Sequence, residues 1–294
     1  MENTMLAKKF SWLVLIFLLR SAVGFAQAPG NLRQEQPPIP VDEIIGKFAE
    51  KEKQFRIARG NYTYRQEVQV QELNGNDRVM GEYQMVSDIT FDSAGKRTER
   101  VVRAPASTLK NISLTSQDLQ DIREIQPFVL TSDDIAKYNL KYLGKEKVDE
   151  IDCYVFDVGP KKIEKGQRYF QGQIWVDDKD LQIVKTYGKA VPDIRDKGQE
   201  NLFPRFETYR EQIDAYWFPT YTRAVDTLQF SSGAQRMRQV IKYENYKKFE
   251  ADVKLTFGDA VEGGDAGTAS KSSSGTKAPA LDPKLNEPKA KKKN

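Results

Sequence analysis

Residues 172–190, GQIWVDDKDLQIVKTYGKA, read as two strands joined by a tight polar turn. Apolar and polar residues alternate on both sides of Asp178-Lys179-Asp180, and β-branched and aromatic side chains dominate both arms. The same grammar extends in both directions. Upstream, residues 140–149 and 152–158 form another strand pair about Glu150, and residues 168–177 supply the first arm of the quoted hairpin. Downstream, strands are expected over 203–213, 216–230 and 235–249, the last two separated by Ser231-Ser232-Gly233. Nearer the N-terminus, residues 61–73 and 78–92 flank Asn74-Gly75, a strong hairpin signal, and Ser93-Ala94-Gly95-Lys96 turns the chain into a third strand ending near Ala104. The pattern predicts an all-β protein with a few helices: an up-and-down curved antiparallel half-barrel of about nine to eleven strands.

Two segments break the period of two. Val41, Ile44, Ile45, Phe48 and Phe55 recur at helical spacing behind Pro40, with Asp42 and Glu43 in the first turn and Gly60 at the end. These predict one amphipathic N-terminal helix packed on the sheet. Residues 115–138 predict a mid-chain helical insertion, with one short helix carrying Asp118, Leu119, Ile122 and Ile125 and another over Asp133–Tyr138.

The ends of the chain have other compositions. Lys8 and Lys9 precede the ten-residue apolar run FSWLVLIFLL (10–19), and the small residues Ala22, Gly24, Ala26 and Ala28 follow. Such a run spans about 15 Å as a helix, half a bilayer core, so residues 1–26 read as a signal peptide cleaved near Ala26 and the mature form as lacking a transmembrane span. Export to the periplasm is the expectation. Residues 27–40 (QAPGNLRQEQPPIP) read as a linker, residues 41–257 as the folded domain, and residues 258–294, rich in Gly, Ser, Ala, Lys and Pro, as a disordered basic tail. The net charge of +4 is carried by the ends, +2 in residues 1–26 and +5 in residues 270–294, which leaves a body of −3. A mildly acidic body is not the footprint of a nucleic-acid binder.

The 294 residues include no histidine and one cysteine, Cys153. Ser-His and Cys-His nucleophilic pairs are thereby excluded, and so is an internal disulfide. Cys153 sits in the apolar alternation Cys153-Tyr154-Val155-Phe156 and reads as a small buried hydrophobe. No phosphate-binding glycine loop precedes a helix. Asp177, Asp178 and Asp180 resemble a cation loop, but turn chemistry accounts for them, and neither a metal nor a cofactor is expected. A two-carboxylate hydrolase acting on envelope substrates is the weakest of the alternatives. Tyr216-Trp217-Phe218-Pro219 fits either a core corner or the mouth of an apolar cavity.

Strands that are apolar on both faces, as in Tyr169, Phe170, Ile174, Trp175 and Val176, need two coverings. The helix supplies one. A bound apolar ligand or a protein partner supplies the other. The expected cavity lining is Tyr64, Val68, Met85, Ile89, Phe170, Ile174, Val184, Tyr221 and Val225.

The stretch GQIWVDDKDLQIVKTYGKA, followed by YWFPTYTRA (216–224) and IKYENYKKF (241–249), resembles the periplasmic outer-membrane lipoprotein-sorting proteins of the LolA superfamily. The resemblance covers mainly residues 140–250. It implies a half-barrel of antiparallel strands around a hydrophobic cavity plugged by helices, and a carrier or sensor of lipid or lipoprotein acyl chains. Relatives of the same fold that act as envelope protein-interaction or stress-sensing modules imply the alternative role.

Overall fold

The computed structural model describes residues 32–92, 95–196 and 199–249. The segments read as a signal peptide, residues 1–26, and as a disordered basic tail, residues 258–294, lie outside the described residues.

The long helix α1, Val41–Arg59, follows the expected apolar stripe: Ile44, Phe48, Ala49 and Phe55 are buried. Glu52 occupies the next position of that stripe, one turn from Phe48, and is buried with them. Its carboxylate lies 3.0 Å from the Arg210 guanidinium and accepts the backbone N–H of Ile183 at 3.1 Å. Arg210 also donates to the carbonyl of Phe128 and packs 5.1 Å over the Phe55 ring. A buried charge survives only when paired, and this pair ties α1 to the sheet beneath it. Gly60 ends the helix with ordinary right-handed geometry, so its small size rather than a left-handed turn is what the position uses.

Twelve strands follow: β1 Tyr62–Leu73, β2 Val79–Phe91, β3 Arg97–Arg103, β4 Tyr138–Val148, β5 Ile151–Pro160, β6 Tyr169–Asp177, β7 Ile183–Val191, β8 Ile194–Asp196, β9 Gln199–Asn201, β10 Phe206–Ile213, β11 Tyr216–Phe230 and β12 Gly233–Lys248. Helix α2, Ser116–Glu124, and a single 3₁₀ turn at Ile135–Lys137 fill the gap between β3 and β4. Ten strands form one open antiparallel sheet in the order β3-β2-β1-β12-β11-β10-β7-β6-β5-β4, with β8 and β9 forming a separate small hairpin. This is the expected half-barrel, but its order is not a simple up-and-down meander. The chain starts mid-sheet, runs outward through β3, crosses by way of α2 to the far edge at β4 and returns, so that β12 pairs with β1 from Tyr62↔Lys248 to Leu73↔Arg236. No local signal announces that closing pair. It unites residues about 170 positions apart because the two strands present matching buried faces, Val68 opposite Ile241 among them.

The diagnostic hairpin forms as read. Asp177 Oδ1 accepts the Lys179 N–H at 2.8 Å, and Asp178 pairs with Lys145 at 2.8 Å, so the acidic tip is occupied by turn and ion-pair chemistry. Gly172 and Gly188 stand directly opposite each other on β6 and β7. A Cβ on Gly172 would lie 2.1 Å from the Tyr187 carbonyl oxygen, and one on Gly188 would enter the Phe170 ring at 2.7 Å. The glycine pair allows Phe170 to lie across the sheet and stack on Phe128, centroid to centroid 4.3 Å. At Asn74-Gly75 the hairpin is also as expected, though the loop is longer. Asn74 Oδ1 accepts from Asn76 and Arg78, and Asp77 takes the left-handed conformation.

The helix-covered face holds the main core, in which Ile44 and Phe48 of α1 meet Phe156, Phe170, Ile174, Val176 and Phe206. The other face carries a smaller cluster of Cys153, Val155, Trp175, Val184 and Trp217. Gln66 of β1 points inward and accepts from Arg97 at 2.9 Å. The linker is partly structured: Arg33 exchanges two backbone hydrogen bonds with Lys145 at 2.8 Å, which covers part of the β4 edge. Of the aromatic cluster, Phe218 is a core corner packed on Phe55, Tyr62 and Tyr246.

Candidate ligand cavity

Helix α2 begins with a capping box. Thr115 receives the Asp118 N–H, and Asp118 receives the Thr115 N–H at 2.7 Å. Asn201, at the end of the small hairpin, donates to Thr115 Oγ1 at 2.7 Å and ties β9 to the cap. On the sheetward side of α2, Asp121 is buried against Arg168, Oδ2 to Nη2 2.7 Å. Burial pushes the Asp121 carboxyl up, against the opposing pull of the Arg168 hydrogen bonds. Arg168 is held in turn by the Pro192 carbonyl and by the Phe203 ring, 3.9 Å from its guanidinium carbon.

The strap leading into α2 is anchored by one side chain. Glu72 Oε1, fully buried, accepts the backbone N–H groups of Lys110, Asn111 and Ile112 at 2.9, 2.5 and 2.6 Å. Upstream, Thr108 N–H donates to the Glu82 carbonyl at 2.9 Å. Gly81 permits this approach, since a Cβ there would sit 2.4 Å from the Thr108 carbonyl oxygen.

Strap, α2, the small hairpin and residues of β1, β7, β10, β11 and β12 together line a half-open cavity of about 1140 Å³, slightly above the range of about 300–1,000 Å³ usual for ligand pockets. Its apolar wall includes Val70, Ile122, Leu202, Phe206, Leu228 and Met237. The polar groups are concentrated at the rim and one inner spot. Glu200 pairs with Arg195 and accepts from Ser231 Oγ at 2.6 Å, joining the small hairpin to the β11–β12 turn. Inside, the Gln126 and Gln239 side chains hydrogen-bond each other at 3.1 Å. No group of three or more metal-ligating side chains occurs among the described residues.

The expected lining residues are distributed differently from the reading. Tyr64, Val68, Met85 and Ile89 belong to the same buried cluster as Leu202, Leu228 and Met237, but they are core behind the cavity wall. Phe170 and Ile174 pack under α1. Val184 lies on the opposite face beside Trp175, and Tyr221 and Val225 share the outward parity of β11, with Val225 52% exposed. The alternation was read correctly but the parity could not be assigned, and a one-residue error moves every side chain to the other face. The residues missed, Ile112, Leu114, Ile194, Leu202 and Phe203, sit in the strap, the small hairpin and the segment after it, where no periodicity marks them.

An open antiparallel sheet with a helix laid along one face, a second helix inserted beside it and a cavity between that insertion and the last strands defines a helix-covered half-barrel. Residues 96–248 match the model of a family described as "Uncharacterized protein". The match covers just over half of the chain, which belongs to this family. No curated protein matches the chain. Among solved structures it is similar to a DUF1329 family protein from Desulfovibrio piger, with 20% identity over 74% of this chain and 95% of that one and a TM-score of 0.38. It is also similar to a LolA superfamily protein from Nitrosomonas europaea, with 14% identity over 76% and 100% of the two chains and a TM-score of 0.33. A third is an outer membrane lipoprotein-sorting protein domain from Vibrio parahaemolyticus, with 13% identity over 69% and 93% and a TM-score of 0.32. Among the described residues no helix is long and apolar enough to cross a membrane.

Proposed function

We propose that this is a periplasmic binding or carrier protein, not an enzyme, that takes an acyl chain of a lipid or lipoprotein into the cavity between α2 and β11–β12. The observation that carries the reading is the cavity itself: about 1140 Å³ with an apolar wall of Val70, Ile122, Leu202, Phe206, Leu228 and Met237. At about 25 cal/mol per Å², burying a few hundred Å² of acyl surface there is worth roughly 5–10 kcal/mol before entropic costs, enough for reversible carriage. The polar rim would stay hydrated around a headgroup or peptide while the chain lies inside. Mass spectrometry of the mature protein from its own envelope should find co-purifying lipid, and a fluorescent acyl probe should bind. Leu228→Trp and Met237→Trp, which fill the cavity, should abolish probe binding while leaving the fold intact. Unchanged binding in both variants would remove the proposed site.

A second reading, an envelope protein-interaction or sensing module, is favoured by one observation. Val79, Met80, Val101 and Val102, on the edge hairpin of β2 and β3, are 46–53% exposed. A stable partner recovered on this edge, lost on Val101→Lys, together with an empty cavity, would support it over the carrier.

A further inference from the structure

We propose that a second cavity, at the C-terminal end of α1, binds a phosphoryl group through Arg59 and Arg123. This cavity, about 730 Å³, is lined by Arg56 and Arg59 from the last turns of α1, Arg97 and Glu99 from β3, and Arg123 and Glu124 from the end of α2. It lies on the opposite side of α2 from the apolar cavity, which takes Asp121, Ile122 and Gln126, and the two share no lining residue.

The arginines differ in how far they are satisfied. Arg56 is neutralised by Asp133 and Asp134 at 2.7 and 3.0 Å. Arg97 spends its terminal nitrogens on Glu99 and Gln66, while its Nε and Glu99 Oε1 are buried without a partner. Arg123 uses only Nε, on Glu99 at 2.9 Å, and leaves its two terminal nitrogens open. Arg59 donates to no group among the described residues, and its Nε is sealed from solvent without a partner. It is held instead by two rings, with its guanidinium carbon 6.0 Å from the Phe55 centroid and 5.6 Å from that of Phe91. Burial pushes its pKa down, and the nearby guanidinium groups of Arg210 and Arg97 push in the same direction. Such a group is costly to keep unless an anion completes it.

The chemistry of the missing anion follows from the open donors. Two planar guanidinium forks facing one cavity can be filled by an anion with three or four acceptor oxygens, whereas a carboxylate offers two. A phosphoryl group meets that requirement, as free phosphate or as a phospholipid headgroup, and the available volume accommodates either.

The test uses the mature full-length chain. Calorimetric titration with inorganic phosphate and, separately, with dihexanoyl phosphatidic acid below its micelle concentration distinguishes the two sources. Comparable affinities assign the free anion, and at least tenfold tighter binding of the lipid assigns a headgroup. In either case Arg59→Met should weaken binding by about tenfold or more, the scale of one lost charged anchor, while Arg78→Met, in the exposed β1–β2 turn, should leave it unchanged. The same Arg59→Met protein without ligand should melt no lower than wild type, since it loses an unpaired cation, and should lose the thermal shift that phosphate produces. Absence of saturable binding of both probes, or equal binding by Arg59→Met, would overturn the assignment. Occupancy of the apolar cavity by the acyl probe is measured independently, so either site can fail without the other.

Discussion

Glu72 is the side chain on which the cavity rim depends most directly. It is fully buried, and one of its oxygens receives three consecutive backbone N–H groups from the strap. A hydrogen bond to a charged acceptor contributes about 1.5–3 kcal/mol, so Glu72→Ala removes roughly 4.5–9 kcal/mol of gross interaction. Not all of that is lost. Lys110 and Asn111 are exposed and their N–H groups can turn to water, whereas Ile112 is half-buried and its N–H would be stranded. A net destabilisation of about 3–5 kcal/mol follows. Glu72→Gln keeps an acceptor oxygen and loses the charge, and should cost about half as much. Urea unfolding reads both values from midpoints at constant slope. Because Ile112 and Leu114 line the cavity, acyl-probe affinity should fall in the same order, Ala below Gln below wild type. The reasoning fails if Glu72→Ala costs under about 1 kcal/mol, the worth of a single ordinary hydrogen bond, or if Gln and Ala are equivalent.

Other residues give independent checks. Gly172→Ala places a Cβ 2.1 Å from a backbone carbonyl of the facing strand, and forcing the two strands apart should cost about 3 kcal/mol or more; thermal melting showing a loss below 1 kcal/mol would contradict the packing described. The Cys153 thiol, buried and pushed up to about 12 mainly by desolvation, should not react with a disulfide reagent at pH 8 until denaturant is added, and a fast reaction of the native protein would show that the outward cluster is open. Burial raises the Glu207 carboxyl, but the Arg223 hydrogen bond and Lys185 outweigh it and hold it below the usual carboxylate range. A depressed folded pKa contributes stability above the unfolded value of about 4.3 and loses it as pH falls through the folded value. The stability difference between wild type and Glu207→Gln should therefore be constant from pH 7 to about pH 5.5 and shrink at more acid pH, and a difference that grows on acidification would reverse the sign of the argument.

Much of the fold was legible locally because strand and helix periodicities are local quantities. The hairpin at residues 172–190, the helix over residues 41–58, the return strand after Asn74-Gly75 and the short helix near Asp118 all appear where alternation or helical spacing placed them. Glu52 could also have been singled out, since an acidic residue one turn from Phe48 on an apolar stripe has to find a cation or stay out of the core. Arg210 as its partner could not, because the two are 158 positions apart and only the packing of α1 across the sheet joins them.

The candidate site divides in the same way. By itself the sequence determined that the chain is built of antiparallel strands with a helix before them and a helical insertion among them, and that His-dependent catalysis is excluded, because these depend on composition and on spacing within a few residues. Tertiary structure alone decided that β12 returns to pair with β1, that Val184, Tyr221 and Val225 face outward, and that the cavity is walled by a strap and a small hairpin. Parity, closure and enclosure are properties of segments brought together from across the chain, and alternation along one strand carries no mark of which side its partners will cover.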